Sequence, residues 1–134
     1  KDTDAFNQIL NSFRLSEKTE KEKKIKKESI QKATLNAIEI PLKIMQLSLE
    51  LMDLIKTLVQ KGNPNSVSDV GVAALCARTA VLGAHLNVII NAKDYSDKNS
   101  RNELLEEAER IKMKAIKQEK SILDITLTTI NNST

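Results

Sequence analysis

"LELMDLIKTLVQKGNPNSVSDVGVAA", residues 49–74, contains most of one helix, its end and the start of another. Leu49, Met52, Ile55 and Val59 recur at spacings of three and four, which lines them along one helix face. Gly62 stops that helix, and "GNPN" at 62–65 is strong turn chemistry. Ser66 or Ser68 then caps the next helix, and Ser66 followed by Asp69 has the spacing of a capping box. A link this short makes the two helices antiparallel neighbours.

Upstream, the same apolar stripe continues through Met45 and Leu42. Helical periodicity reaches back to Thr19, which forms a capping box with Glu22. A helix from there to Lys61 would be about 40 residues, roughly 60 Å long. Pro41 lies inside it and removes an amide donor, which predicts a kink or break near residues 37–41. Before it, residues 4–15 can form a short helix with Phe6, Ile9, Leu10 and Phe13 on one side, followed by a polar link at 16–18.

Downstream, the second helix of the hairpin runs to about Asn91. After "KDYSDKN", Ser100 and Glu103 offer another capping box. A last helix carries Leu104, Leu105, Ala108, Ile111, Ala115, Ile122 and Ile125 and ends near Ile130, with residues 131–134 fraying. No strand-like alternation, internal repeat or low-complexity segment stands out. The fold class is all-α, a bundle of long antiparallel helices with short loops, in one domain over residues 1–134.

Composition narrows the function. The net charge is only +3, and most lysines of residues 18–32 are interleaved with Glu17, Glu20, Glu22 and Glu28, which reads as a solvated helix face. Aromatics are 2 % of the chain, too few for a base-stacking surface. No nucleic-acid partner is expected. One cysteine, Cys76, and one histidine, His85, supply neither a disulfide framework nor a Cys/His metal site. The lone thiol fits a reducing, cytoplasmic setting. No secretory signal is present, no stretch reads as apolar enough to span a bilayer, and no membrane partner is expected.

The second hairpin helix is unusual in two ways. Gly71, Ala73, Ala74, Ala77, Ala80, Gly83 and Ala84 would let another helix approach closely, and each interior glycine costs about 1 kcal/mol of helix propensity that packing must offset. Cys76 belongs with them as a small core residue. Its polar residues are harder to place. Asn63, Asn65, Ser66, Ser68 and Asp69 crowd its start, and Asn87 and Asn91 share a face near its end. Caps and inter-helix hydrogen bonds are one explanation. The other is a polar cleft for a planar, hydrogen-bonding ligand, with Asp69 in the first turn, where the helix dipole favours negative charge. The residues alone leave both open.

At these positions the chain resembles the formiminotetrahydrofolate cyclodeaminase and methenyltetrahydrofolate cyclohydrolase family, which includes the C-terminal domain of formiminotransferase-cyclodeaminase. The resemblance runs through "DTDAF", "FRL", "AIEIPL", "GNPNSVSDVGVAAL" and "LGAHLNVIINAKD". Its most specific parts are "GN" and "SD" at 62–63 and 68–69 and "NVIIN" at 87–91.

The resemblance implies an all-helical fold that pairs as a homodimer and acts on a tetrahydrofolate derivative. It implies no cofactor beyond that substrate. The activity it implies is closure of 5-formiminotetrahydrofolate to 5,10-methenyltetrahydrofolate with loss of ammonia, or hydrolysis of the methenyl form to 10-formyltetrahydrofolate. The alternative is a non-catalytic helical module that binds folate or assembles. Carried over by residue, Asp69 is the leading candidate for acid/base or cation-stabilising work. Asp2 or Asp4 is second, and Asp2 fits the family's Asp four residues before Phe6 better. Asn63 and Ser68 would shape the site, and Asn87 and Asn91 would bind folate or a neighbouring helix. Arg14, Lys26 and Lys27 are cations that could attract a glutamate tail. His85 is read as packing or surface.

Two departures stand out. Ser16 and Glu17 replace the family's "LPK" after Leu15, and no "PGGG"-like turn with an Ala/Gly-rich helix is present. A missing N-terminal segment would leave the small-residue face at 69–91 without an intrachain neighbour.

Overall fold

The computed structural model describes residues 1–133, and every regular element among them is helical. α1 is Asp2–Phe13, α2 is Glu20–Lys61, α3 is Val67–Ala92 and α4 is Lys98–Asn131. One 3-10 turn, Pro64–Ser66, leads into α3. α2, α3 and α4 pack against one another, and α1 lies on α2.

The stripe read from the sequence is the core. Leu42, Met45, Leu49, Met52, Ile55 and Val59 of α2 are all buried. They meet Val67, Ala74, Ala77, Val81, Ala84 and Val88 of α3 and Ala108, Ile111, Ala115 and Ile122 of α4. Bulky side chains on α2 thus face small ones on α3, so volume is filled while the axes stay close. Gly71 serves the third side of this contact: a Cβ there would sit 3.0 Å from the Thr126 methyl of α4.

Pro41 does not break α2, which continues unbroken from Glu20 to Lys61. The carbonyl of Ala37, which the missing amide of residue 41 would have served, instead accepts a hydrogen bond from Asn91 Nδ2 at 2.8 Å. A side chain from the neighbouring helix thus replaces the lost ladder bond and removes the cost of an orphan carbonyl.

The helix ends differ from expectation in detail. Thr19 Oγ1 accepts from the Glu22 amide at 3.1 Å, as a capping box requires. The return bond reaches past Thr19: Glu22 Oε2 accepts from the Lys18 amide at 2.9 Å and from the Ser16 hydroxyl at 2.6 Å. α4 starts earlier than Ser100, because the Asp97 carboxylate caps the Ser100 amide at 3.0 Å. Neither Ser66 nor Ser68 caps α3 through its side chain; Ser66 Oγ donates to the Asn63 carbonyl at 3.2 Å, while Ser68 lies inside the first turn. Gly62 ends α2 in extended backbone, and a Cβ there would lie 2.6 Å from the Leu58 carbonyl oxygen. At the far end, α4 extends to Asn131, and Asn132 and Ser133 still bond back onto it, so fraying is not seen there; Thr134 lies outside the described residues.

α3 keeps an uncovered side. Asp69, Val72, Cys76, Thr79, Gly83, Leu86, Ile90 and Lys93 are all exposed and follow one another at spacings of three and four. Cys76 is therefore a surface residue and not the core residue its type suggested. Ala80 and Gly83 are exposed too, and a Cβ on Gly83 would meet nothing within 4 Å. The segment Pro64–Ala92, at mean hydropathy 1.6, is long and apolar enough to cross a bilayer, contrary to the sequence expectation. Its apolarity is explained on one side by packing between α2 and α4 and on the other by this open seam. α2 carries a second such seam through Ile44, Leu47, Leu51, Leu54 and Leu58, all exposed.

Candidate functional site

α1 begins at Asp2, two residues before the start at residue 4 that the sequence suggested, and that places Asp2 in the first turn. Ala5 and Ser12 are the buried residues of the helix and seat it on α2. Ser12 Oγ bonds Ser29 Oγ at 2.9 Å, and Asn36 Nδ2 donates to Gln8 Oε1 at 2.8 Å. With those contacts holding one side, the face bearing Asp2, Phe6, Ile9 and Phe13 turns to the other side. Phe6 and Phe13 remain more than half exposed there.

Between that face and the C-terminal end of α3 lies a cavity of about 360 Å³. Asp2, Thr3, Phe6 and Ile9 line it from α1, Ala37 from α2, and Asn87 and Asn91 from α3. Three candidates from separate parts of the sequence, Asp2, Asn87 and Asn91, are therefore brought to one hollow. The Asn91 amide nitrogen is committed to the Ala37 carbonyl. Its Oδ1 remains to accept a bond from a ligand, while Asn87 is exposed and offers both a donor and an acceptor. One carboxylate, one amide with a fixed orientation and one free amide over an apolar floor suit a planar ligand with polar edges.

The other candidates are elsewhere. Asp4 is exposed and pairs with the Lys1 amino group at 3.3 Å. Asn63, Ser68 and Asp69 are exposed at the start of α3. Asp69 and Asn87 point the same way, since 18 residues make five helical turns, but that separation is about 27 Å along the axis. One ligand cannot touch both in a single chain. Asn63 is occupied locally, its Oδ1 accepting from the Asn65 amide at 2.9 Å.

Two further hollows flank α1. The larger, about 610 Å³, lies on its opposite side among Gln8, Asn11, Ser12, Ser29, Lys32 and Asn36. Several of its polar groups are spent on one another, through the Ser12–Ser29 and Gln8–Asn36 bonds, so it serves as a helix–helix contact. The other, about 390 Å³, lies where α1 hands over to α2 and is lined by Phe13, Glu17, Lys23, Lys26, Lys27, Ile30 and Gln31. Lys26 pairs with Glu17 there, which holds the Glu17 carboxyl below its usual range. Phe6 and Ile9 are not legible as site walls before folding, because an apolar face on a short helix reads first as core.

His85 is buried, as a packing residue, and its Nε2 lies 3.1 Å from Glu109 Oε2 of α4. Among the described residues no three His, Cys, Asp or Glu side chains converge as metal ligands.

Comparison with known proteins gives a consistent picture. Residues 1–110 match the family model described as formiminotransferase-cyclodeaminase. The chain is 36 % identical over 108 residues to the methenyltetrahydrofolate cyclohydrolase of Methylorubrum extorquens, covering 81 % of this chain and 52 % of that protein. It is 34 % identical over 96 residues to the formimidoyltransferase-cyclodeaminase of Rattus norvegicus, covering 72 % of this chain and 18 % of that one. The chain thus spans about half the length of the first relative and about a fifth of the second. The crystal structure of formiminotetrahydrofolate cyclodeaminase from Thermotoga maritima superposes with a TM-score of 0.82 at 24 % identity, over 97 % of this chain and 61 % of that one. At that identity the likeness establishes the fold.

Proposed function

This chain belongs to the formiminotransferase-cyclodeaminase family, and from that premise we propose that it works on one-carbon derivatives of tetrahydrofolate at the Asp2–Asn87–Asn91 cavity. The observation that carries this reading is the meeting of those three side chains in one hollow. The reaction is cyclodeamination of 5-formiminotetrahydrofolate or hydrolysis of 5,10-methenyltetrahydrofolate.

Both reactions pass through a tetrahedral carbon between two folate nitrogens, and both need protons moved at that carbon. In cyclodeamination N10 attacks the formimino carbon. The Asp2 carboxylate accepts the N10 proton and returns it to the formimino nitrogen, and a further proton from solvent lets that nitrogen leave as ammonia, with the methenyl cation formed. In hydrolysis the carboxylate takes a proton from the water that adds to the methenyl carbon. It passes that proton to N5 as the C–N5 bond breaks, and the carbinol proton goes to solvent as the formyl group forms. A carboxylate beside the carbon also stabilises the cationic amidine of either path. Asn91 Oδ1 and the Asn87 amide would hold the polar edge of the pterin. Neither path calls for a redox cofactor or a metal.

Homodimer formation and a reducing, cytoplasmic setting belong to the same proposal. The exposed seam of α3 supports the first, since a self-complementary helix face is the simplest isologous contact. A surface thiol at Cys76 supports the second. The seams also favour the rival reading, a non-catalytic helical module that binds folate or assembles.

The test follows the methenyltetrahydrofolate absorbance band. Its appearance on adding 5-formiminotetrahydrofolate identifies a cyclodeaminase, and its accelerated loss from methenyltetrahydrofolate identifies a cyclohydrolase. No change in either, with Asp2→Asn indistinguishable from wild type, establishes the non-catalytic module instead.

A further inference from the structure

Pro41 is buried in the middle of α2, one helical turn beyond Ala37. Proline is the residue least suited to a helix interior, because it carries no amide to bond the carbonyl four residues back. Here that carbonyl belongs to Ala37, which lines the cavity together with Asp2, Asn87 and Asn91. Pro41 itself does not line it. Its effect on the site therefore runs through the Ala37 carbonyl.

Other helix carbonyls that take a side-chain bond show the difference. Thr34, Thr57, Thr79 and Thr126 each donate to the carbonyl one turn back in their own helix. Each of those carbonyls also has the threonine's own amide as its regular helical partner. The Ala37 carbonyl lacks that amide, and its bond comes from another helix, from Asn91 Nδ2 at 2.8 Å.

A carbonyl can only accept, so the nitrogen end of the Asn91 amide must face it. The other end is thereby fixed too, and Oδ1 is what remains for a ligand. Asn87 lies one turn earlier on the same face of α3, is exposed and has no such anchor. It can turn either end of its amide toward the cavity. The hollow thus combines one amide of set polarity with one that adapts, and the set one requires an N–H on the ligand.

On the folate reading given above, we propose that Pro41 is a positioning residue that sets this polarity, and that Asn91 Oδ1 accepts from the 2-amino group of the pterin. The pyrimidine edge of the pterin carries N–H donors at N3 and the 2-amino group beside the 4-oxo acceptor, and the adaptable Asn87 serves that acceptor. With an amide at position 41, the Ala37 carbonyl is satisfied within α2 and no longer needs Asn91. The Asn91 amide then presents either end, and the site loses its preference for a donor.

Calorimetric titration of the 134-residue chain tests this with two probes: 5-formyltetrahydrofolate, and its analogue with a methyl in place of the 2-amino group. The wild-type chain binds the first at least about fivefold more tightly, the size expected when one hydrogen bond is lost and its acceptor is left unpaired. Pro41→Ala brings that ratio to within about twofold of one. Pro64→Ala, at the chain's other proline in the turn before α3, leaves the ratio intact. Nitrogen-15 NMR of the ligand-free chain reads the anchor directly. The Asn91 side-chain hydrogen on Ala37 exchanges slowly in the wild type and at the solvent-exposed rate in Pro41→Ala. Circular dichroism verifies the fold, and Pro41→Val, which keeps more of the buried volume, serves if Pro41→Ala is unstable. A wild-type ratio near one, a ratio untouched by loss of the proline, or an Asn91 signal that the substitution does not move overturns the role of Pro41 while the folate reading stands. Failure of the wild-type chain to bind either probe overturns both.

Discussion

The two ends of α3 carry the same kinds of residue and put them to different use. At the N-terminal end Asn63, Ser66, Ser68 and Asp69 stand on open surface, and the bonds of Asn63 and Ser66 stay within three residues of sequence. At the C-terminal end Asn91 reaches 54 residues back to Ala37, Asn87 borders a cavity with Asp2, and His85 meets Glu109 across the bundle. Polar residues near a helix end mark a site only when other elements converge on them. The motif is as specific at one end as at the other, and the cavity that gathers residues from α1, α2 and α3 is at the C-terminal end.

The sharpest way to break this comparison is a pair of carboxylate changes. Asp2→Asn lowers turnover by about 10²-fold or more, the usual worth of a positioned acid/base group. Asp69→Asn leaves turnover within about threefold, because a solvated carboxylate about 27 Å from the cavity has no route to the reacting carbon. Equal large losses would mean that a second copy brings its Asp69 to the cavity.

Next in size is the stability of the two ends. Asn91→Leu costs about 1–3 kcal/mol by orphaning the Ala37 carbonyl. Asn63→Ala removes only a local turn bond and costs about 0.5–1 kcal/mol. In a Pro41→Ala background the new amide serves Ala37 within α2, so the Asn91 effect shrinks. Urea unfolding of the double-mutant cycle reads the coupling directly.

The two interior glycines divide in the same manner. Gly71→Val drives side-chain atoms into Thr126 and costs about 1–3 kcal/mol. Gly83→Ala meets open space and gains up to about 1 kcal/mol of helix propensity. Thermal melts check both, and a loss at Gly83 would show that the seam is covered in solution.

The smallest effect is a pH dependence at Glu109. Its carboxyl is held below the usual range, chiefly by a hydrogen bond from Lys112 and less by His85. The folded-state value therefore lies below the unfolded one. The stability it adds is present above the ordinary carboxylate range and is lost as pH falls through the depressed value. Glu109→Gln should thus lower the melting temperature slightly at neutral pH and lose that difference in acid.

Much of the fold was legible because periodicity is a direct image of burial. All six members of the α2 stripe are in the core, and Gly62 does end α2. The break allowed for at Pro41 is absent because its cost is set by what else can bond the freed carbonyl, and the donor lies 50 residues further along the chain. Cys76 misled because residue type reports average burial, whereas the face it shares is open. Of the site, the residue types were readable and their grouping was not. Asp2, Asn87 and Asn91 converge only after α1 folds back on α2 and α3 runs antiparallel beside it.

α1 buries only Ala5 and Ser12 and packs chiefly on one neighbour. A helix of 12 residues is marginal by itself in water. It should therefore open on its own, well below the free energy that unfolds α2, α3 and α4 together. The carboxylate we propose as the proton carrier rides on that helix, so the cavity exists only while α1 is docked. Ligand that bridges α1 to α3 would close this local opening. Its amides would then exchange with solvent more slowly in the bound state, while those of α2 would hardly notice.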